Sequence, residues 1–263
     1  MDLGLKGRPA LVAAASRGLG FACARSFAAE GARVALCART MAAAEEAAGR
    51  IGEETGSTVQ ALEADVSTAD GAAGFVRRGA EELGGCHILV ANAGGPKPGR
   101  AMEMSDQEWL GALELNFLST VRMVREALPH MRQAGYGRIV AITSSAVKEP
   151  IPNLALSNAA RAAATGYLKT LAREAGGEGI TVNAVLPGRI LTDRIRRLAM
   201  ERAGAEGVSE EEALAQQAAD VPLGRLGRPE DVGDVVTFLA SERAAYLTGC
   251  MLSVDGGLLR SLF

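Results

Sequence analysis

The sequence predicts an α/β fold: a doubly wound parallel sheet of about seven strands with helices on both faces. Three observations carry this. Short apolar runs recur along the 263-residue chain, and longer segments with helical spacing separate them. The runs are apolar throughout rather than alternating, as a sheet covered on both faces requires. Strand–helix alternation over this length implies right-handed crossovers between parallel strands.

The elements follow in order. A strand over residues 9–13 leads through Ala13-Ala14-Ala15-Ser16-Arg17-Gly18-Leu19-Gly20 into a helix over 21–30. Glycines at such a turn let the backbone approach a pyrophosphate, which then rests on a helix N-terminus. The second strand, 33–37, ends in Ala38-Arg39, and a helix over 41–54 follows. The third, 58–62, precedes Asp65-Val66 and a helix over 69–83; the fourth, 87–91, precedes Asn92-Ala93-Gly94. One long helix is expected over 106–131, opened by a capping box of Ser105 and Glu108. The fifth strand, 138–142, runs into Thr143-Ser144-Ser145, and a helix is expected over 158–175. The sixth, 181–184, leads to Pro187-Gly188. Residues 194–220 are charged and alanine-rich, with a second capping box at Ser209 and Glu212. They read either as a helical flap over a cleft or as a plain solvated helix pair. The seventh strand, 251–254, precedes Asp255-Gly256-Gly257. With no linker or repeat in the chain, residues 1–263 read as one domain.

Composition excludes several classes. The net charge is −3 without a basic block, so neither nucleic acid nor a membrane surface is an expected partner. No apolar run is long enough to span a bilayer, and the start of the chain lacks the charged region of a signal peptide. Cys23, Cys37, Cys86 and Cys250 are scattered, without a CxxC pair, and only His87 and His130 could add imidazole ligands. No metal site is expected, and the cysteines read as core residues of a cytoplasmic protein.

Taken together, these motifs resemble the short-chain dehydrogenase/reductase family, in particular its 3-oxoacyl-acyl-carrier-protein-reductase-like members, whose fold is Rossmann-like. The resemblance covers nearly the whole chain. Gly18 and Gly20 match the glycine loop TGxxxGxG, while Ala13 and Ala14 replace its Thr and first Gly. Such a methyl group at Ala14 would strain a tight turn or hold the backbone slightly away from a phosphate. Asp65 and Val66 match the family's adenine-facing pair, and Asn92-Ala93-Gly94 its NAG motif. Pro187-Gly188, with Ile190 and Thr192, matches PGxxxT, which holds the nicotinamide carboxamide. The segments 225–232 and 254–257 match further structural stretches. Where NAD-preferring members carry an acid after the second strand, this chain has Ala38 and then Arg39, with Arg17 in the glycine loop. Two guanidinium groups suit a 2′-phosphate, so NADP(H) is expected over NAD(H). Members of the family are usually tetramers formed through the two long helices, which implies a homotetramer here.

The chemical end departs from the pattern. The family reduces carbonyls with an Asn–Ser–Tyr–Lys set, in which the Tyr is the acid/base. Asn116 and Ser144 match the first two, with Ser145 as fallback. At the Tyr and Lys places stand Ser157 and Arg161, in Ser157-Asn158-Ala159-Ala160-Arg161. The resemblance therefore implies an NADP(H)-dependent oxidoreductase acting on a carbonyl or alcohol through a non-standard site. Lys148, Glu149 and Lys97 are the candidate substitutes for the missing phenol. One alternative is a dinucleotide-binding protein without hydride transfer. Another is a non-redox enzyme on the same fold, as in halohydrin dehalogenases, which are similar in pairing a serine with an arginine.

Overall fold

In the computed structural model, which describes residues 1–262, the chain forms one seven-stranded sheet with every neighbouring pair parallel. The strands are β1 (Pro9–Val12), β2 (Arg33–Ala38), β3 (Val59–Glu63), β4 (Ile88–Ala91), β5 (Gly137–Ile142), β6 (Ile180–Pro187) and β7 (Met251–Val254). Their order across the sheet is β3-β2-β1-β4-β5-β6-β7. The order reverses between β1 and β4, and ligands of open α/β sheets bind in the crevice at such a switch point.

Helices cover both faces, as the unalternating strands require. On one side lie α1 (Gly18–Ala29), α2 (Met41–Thr55) and α9 (Pro229–Leu239), meeting the sheet through Phe27, Ile51, Val236 and Leu239. On the other lie α3 (Ala69–Leu83), α5 (Ser119–Ala134) and α6 (Ala155–Ala175), through Phe75, Met123, Met131 and Leu168. Helices α1 and α9 approach closely: a Cβ on Gly233 would stand 2.9 Å from the Ala22 carbonyl oxygen. No helix of the described residues is long and apolar enough to cross a membrane.

Three expectations need correction. The helix expected over 106–131 is not continuous. It comprises α4 (Asp106–Leu113), a π-helical stretch Glu114–Leu118 and α5. The wider turn inserts an extra residue, which hydropathic spacing does not register. Helix α9 was not read as a helix, although Pro229 at its first position and Asp231, which accepts from the Arg228 amide at 2.8 Å, are start signals. Helix α6 begins three residues earlier than expected, at Ala155. The segment 194–220 is a helix pair, α7 (Asp193–Glu206) and α8 (Glu210–Ala219), packed through Ala199, Ala203 and Ala213. Both capping boxes form, at Ser105 and Ser209.

Candidate active site

The site is built from the loops at the C-terminal ends of β1, β4, β5 and β6 and from the first turns of α6. The turn after β1 is held by its neighbours. Asn92, after β4, donates from Nδ2 to the carbonyls of Ala13 and Ala14 at 3.2 and 3.1 Å. Ala14 is left-handed, at φ 48°, a conformation costing an L-residue about 1–2 kcal/mol. That is the strain expected of an alanine in a glycine position. Gly18 is also left-handed, at φ 60°. Gly20 has no room for a side chain, since a Cβ would stand 2.6 Å from the Ala14 carbonyl oxygen and 2.8 Å from Asn92 Nδ2. Ser16 and Leu19 are partly exposed along this turn and Ala93 beyond β4, and Arg17 is well exposed as the residue before α1.

Of the two arginines read as phosphate ligands, Arg39 is exposed at the end of β2 and forms no ion pair among the described residues. Its charge helps hold Asp65 below the usual carboxylate range, although the larger causes are the Ser67 hydroxyl and amide, at 2.7 and 3.0 Å. Arg17 lies 3.8 Å from Asp193 at the start of α7. Val66 is buried. On the facing wall, Pro187 ends β6 and Ile190 is buried beside it. Gly188 packs so tightly on Asp255 that a Cβ would come within 2.6 Å of the Asp255 Cβ. Thr192 faces the glycine turn: a Cβ on Gly18 would lie 3.6 Å from its methyl carbon.

The structure brings Asn116, Ser157 and Arg161 together around the ends of β4 and β5, with Ser144 closing β5. Ser157 and Arg161 are one turn apart on the same face of α6, and Arg161 Nε donates to Ser157 Oγ at 3.2 Å. Arg161 Nη1 donates to the carbonyls of Ile142 and Thr143, at 3.0 and 2.9 Å. Its Nη2 donates to the Gly94 carbonyl at 3.5 Å, and Asn116 Nδ2 donates to the same oxygen at 2.8 Å. Burial, and secondarily the charge of Arg194, lower the Arg161 pKa to about 10. Asn116 lies in the π-helical stretch, and its Oδ1 is buried without a partner. Ser144 Oγ accepts from the Ala146 amide at 3.1 Å, which leaves its proton free.

No tyrosine stands beside Ser157. Tyr167 is ten residues beyond Ser157 on α6, about 15 Å at helical rise, and packs edge-on against Phe117. Tyr136 precedes β5, at the opposite end of the strands from the site, and donates to the Ala240 carbonyl at 3.0 Å. Tyr246 is fully exposed. Among the candidate substitutes, Lys97 is paired with Glu108 at 2.7 Å, and Glu149 accepts from the Arg260 amide at 3.0 Å. Lys148 follows the short 3₁₀ turn Ser145–Val147 and is partly buried.

Arg194 was missed. It is half-buried at the start of α7 and donates from Nη2 to the Pro96 carbonyl at 3.2 Å. The only sequence signal was its place two residues beyond Thr192, in a segment that read either as a helical flap over a cleft or as a solvated helix pair.

Residues 13–259 match the family model described as enoyl-(acyl carrier protein) reductase. The chain is 38% identical over 261 residues to 3-oxoacyl-[acyl-carrier-protein] reductase of Pseudomonas aeruginosa, covering 98% of this chain and 100% of that one. It is 35% identical over 250 residues to the short-chain reductase NovJ of Streptomyces niveus, covering 94% and 92%. Among solved structures it is similar to L-sorbose reductase from Gluconobacter frateurii complexed with NADPH and L-sorbose. There the TM-score is 0.96 and the identity 35%, with 100% of both chains covered.

Proposed function

The chain belongs to the short-chain dehydrogenase/reductase family, and on that premise we propose that it is an NADP(H)-dependent oxidoreductase acting on a carbonyl or alcohol through Ser144, Ser157, Arg161 and Asn116. The observation that carries this reading is the guanidinium of Arg161, which joins Ser157 Oγ to the ends of β4 and β5. It keeps the Ser157 hydroxyl beside a cation where a tyrosine and lysine would otherwise stand.

The residues fit a dinucleotide. Gly18 and Gly20 keep side chains out of the turn that a pyrophosphate would approach, and Gly94 leaves open space after β4. Arg39, without an ion pair among the described residues, and Arg17 would hold the 2′-phosphate, while Asp65 and Val66 would flank the adenine. Ala93, Gly94, Pro187, Gly188, Ile190 and Thr192 would line the nicotinamide end. When bound, the reduced cofactor supplies the hydride.

The chain's own part is to stabilise and protonate the oxygen. Ser157 Oγ accepts from Arg161, so its proton is free for a substrate oxygen, and the adjacent cation makes that hydroxyl a stronger donor. Ser144 supplies a second hydroxyl. Asn116 Oδ1, buried and unpartnered, would hold a water that replaces the donated proton. A serine is far less acidic than a phenol, and loss of a tuned acid/base costs about 10²–10⁴-fold in rate. Slow turnover is therefore expected. Helices α7 and α8 would cover the substrate, and α5 and α6 would join four copies; sedimentation at monomer mass would count against the tetramer.

The test is consumption of NADPH with a panel of ketones, followed by the absorbance of the reduced cofactor. Ser157→Ala and Ser144→Ala should each lower kcat. The distance of all three tyrosines from the site favours a second reading, a dinucleotide-binding protein without hydride transfer. Tight NADPH binding with silence across the panel would select it.

A further inference from the structure

We propose that the substrate is an anion, carrying a carboxylate or phosphate group beside its reacting carbon, and that Arg194 grips this group in the field of Arg161. The inference rests on the oxidoreductase reading and names the substrate class of that site.

Three successive residues after β4 carry both guanidinium groups. Arg161, from α6, donates to the Gly94 carbonyl, and Arg194, from α7, donates to the Pro96 carbonyl. Between them Gly95 is bare, and a Cβ there would lie 1.6 Å from Arg194 Nη1. The Arg194 head group thus fills the space a side chain would need. Both cations are held by neutral oxygens. Among the described residues neither has a carboxylate within 4.0 Å, while nearby acids are engaged elsewhere: Asp193 faces Arg17, and Glu108 holds Lys97.

Two like charges sharing a partly buried corner repel one another, and burial removes the water that would screen them. Arg161 is accordingly weakened as a cation, by burial first and Arg194 second. Arg194 is shifted the same way, by burial first and Arg197 second. An oxyanion between the guanidinium groups reverses the sign of this cost, and their planar forks match carboxylate and phosphate oxygens. The same chemistry could come from the cofactor's pyrophosphate. Position favours the substrate. The glycine turn faces Thr192, whereas Arg194 rests on the loop after β4, to which Arg161 and through it Ser157 are joined.

The experiment is calorimetry of oxamate, of inorganic phosphate and of the neutral oxamide, each titrated into the protein with and without saturating NADP⁺. At least one of the two anions should bind the NADP⁺ complex at least ten times more tightly than oxamide. Arg194→Met should weaken that anion by about 10–100-fold, the worth of one charge-assisted hydrogen bond, with NADP⁺ affinity held within about twofold. Arg194→Lys, which keeps the charge, should retain part of the affinity and provides the control for folding. If neither anion binds the complex, the proposal fails. It also fails if Arg194→Met weakens NADP⁺ as much as the anion, because the guanidinium then serves the pyrophosphate. Faster NADPH-dependent reduction of methyl pyruvate than of pyruvate would overturn it while leaving the oxidoreductase reading intact. Anion binding with no ketone turnover would remove that reading and keep the anion site.

Discussion

Replacing Arg161 by methionine should destabilise the protein by about 3 kcal/mol. The side chain makes three short donations, at 2.9, 3.0 and 3.2 Å, and one longer one. A hydrogen bond from a charged donor contributes about 1.5–3 kcal/mol, so the short ones amount to roughly 5–9 kcal/mol gross. Burial opposes them. The fall of the Arg161 pKa from 12.5 to about 10 is worth roughly 3 kcal/mol against the charged form, at about 1.4 kcal/mol per unit. Methionine is long enough to fill much of the space but leaves the Ile142 and Thr143 carbonyls without this donor. Urea unfolding measures the loss, and a parallel melt should show Tm lower by about 6–10 °C. Arg161→Lys should recover part of it, since an ammonium group can reach some of these oxygens but lacks the planar fork. A loss below about 0.5 kcal/mol for Arg161→Met would refute the reasoning: the guanidinium would then not be clasping β4 and β5 to α6.

Other consequences can be checked separately. Ala14→Gly should raise stability by up to about 1 kcal/mol in urea unfolding, because it relieves the left-handed strain at the cost of a looser unfolded chain, whereas Gly20→Ala should abolish NADPH binding in a fluorescence titration. With Arg17 and Arg39 holding a 2′-phosphate as proposed, Arg17→Ala with Arg39→Asp should favour NADH, read as the ratio of NADPH to NADH dissociation constants. Asp231, held at a pKa of about 2 chiefly by the Arg228 amide with help from the Arg225 and Arg228 side chains, favours the fold above pH 4; that contribution is lost as pH falls from about 4 to 2, so Asp231→Asn should flatten this limb of the stability profile by about 1 kcal/mol. Burial raises the thiols of Cys23, Cys37 and Cys86, so a disulfide reagent at pH 8 should titrate only Cys250 in the native protein and all four after unfolding.

The sheet was legible because its strands are uniformly apolar, a pattern that burial on both faces imposes and that any register reproduces. Strand ends moved by one to three residues, mostly outward, as with β6, which continues through Pro187. The interruption at Glu114–Leu118 was not legible, because a wide turn changes backbone bonding without changing which residues are apolar. At the site, the meeting of Ser157 and Arg161 followed from their spacing along one helix. Arg194 was invisible for the opposite reason. What makes it notable is the bare Gly95 nearly a hundred residues earlier, and no local pattern joins the two. The carbonyls that engage Arg161 were hidden in the same way, since every residue has one.

The contact between Gly188 and Asp255 ties the wall of the crevice to the residues that follow β7. During synthesis on the ribosome the glycine turn, β4 and β5 can pair long before Asp255 emerges, whereas the stretch from Gly188 to Thr192, bonded to Gly227 through Arg189 and Leu191, lacks its backing at Gly188 until then. Dinucleotide capture is thus expected only once β7 has emerged, and a nascent chain stalled before β7 should pass over a nicotinamide affinity matrix unretained.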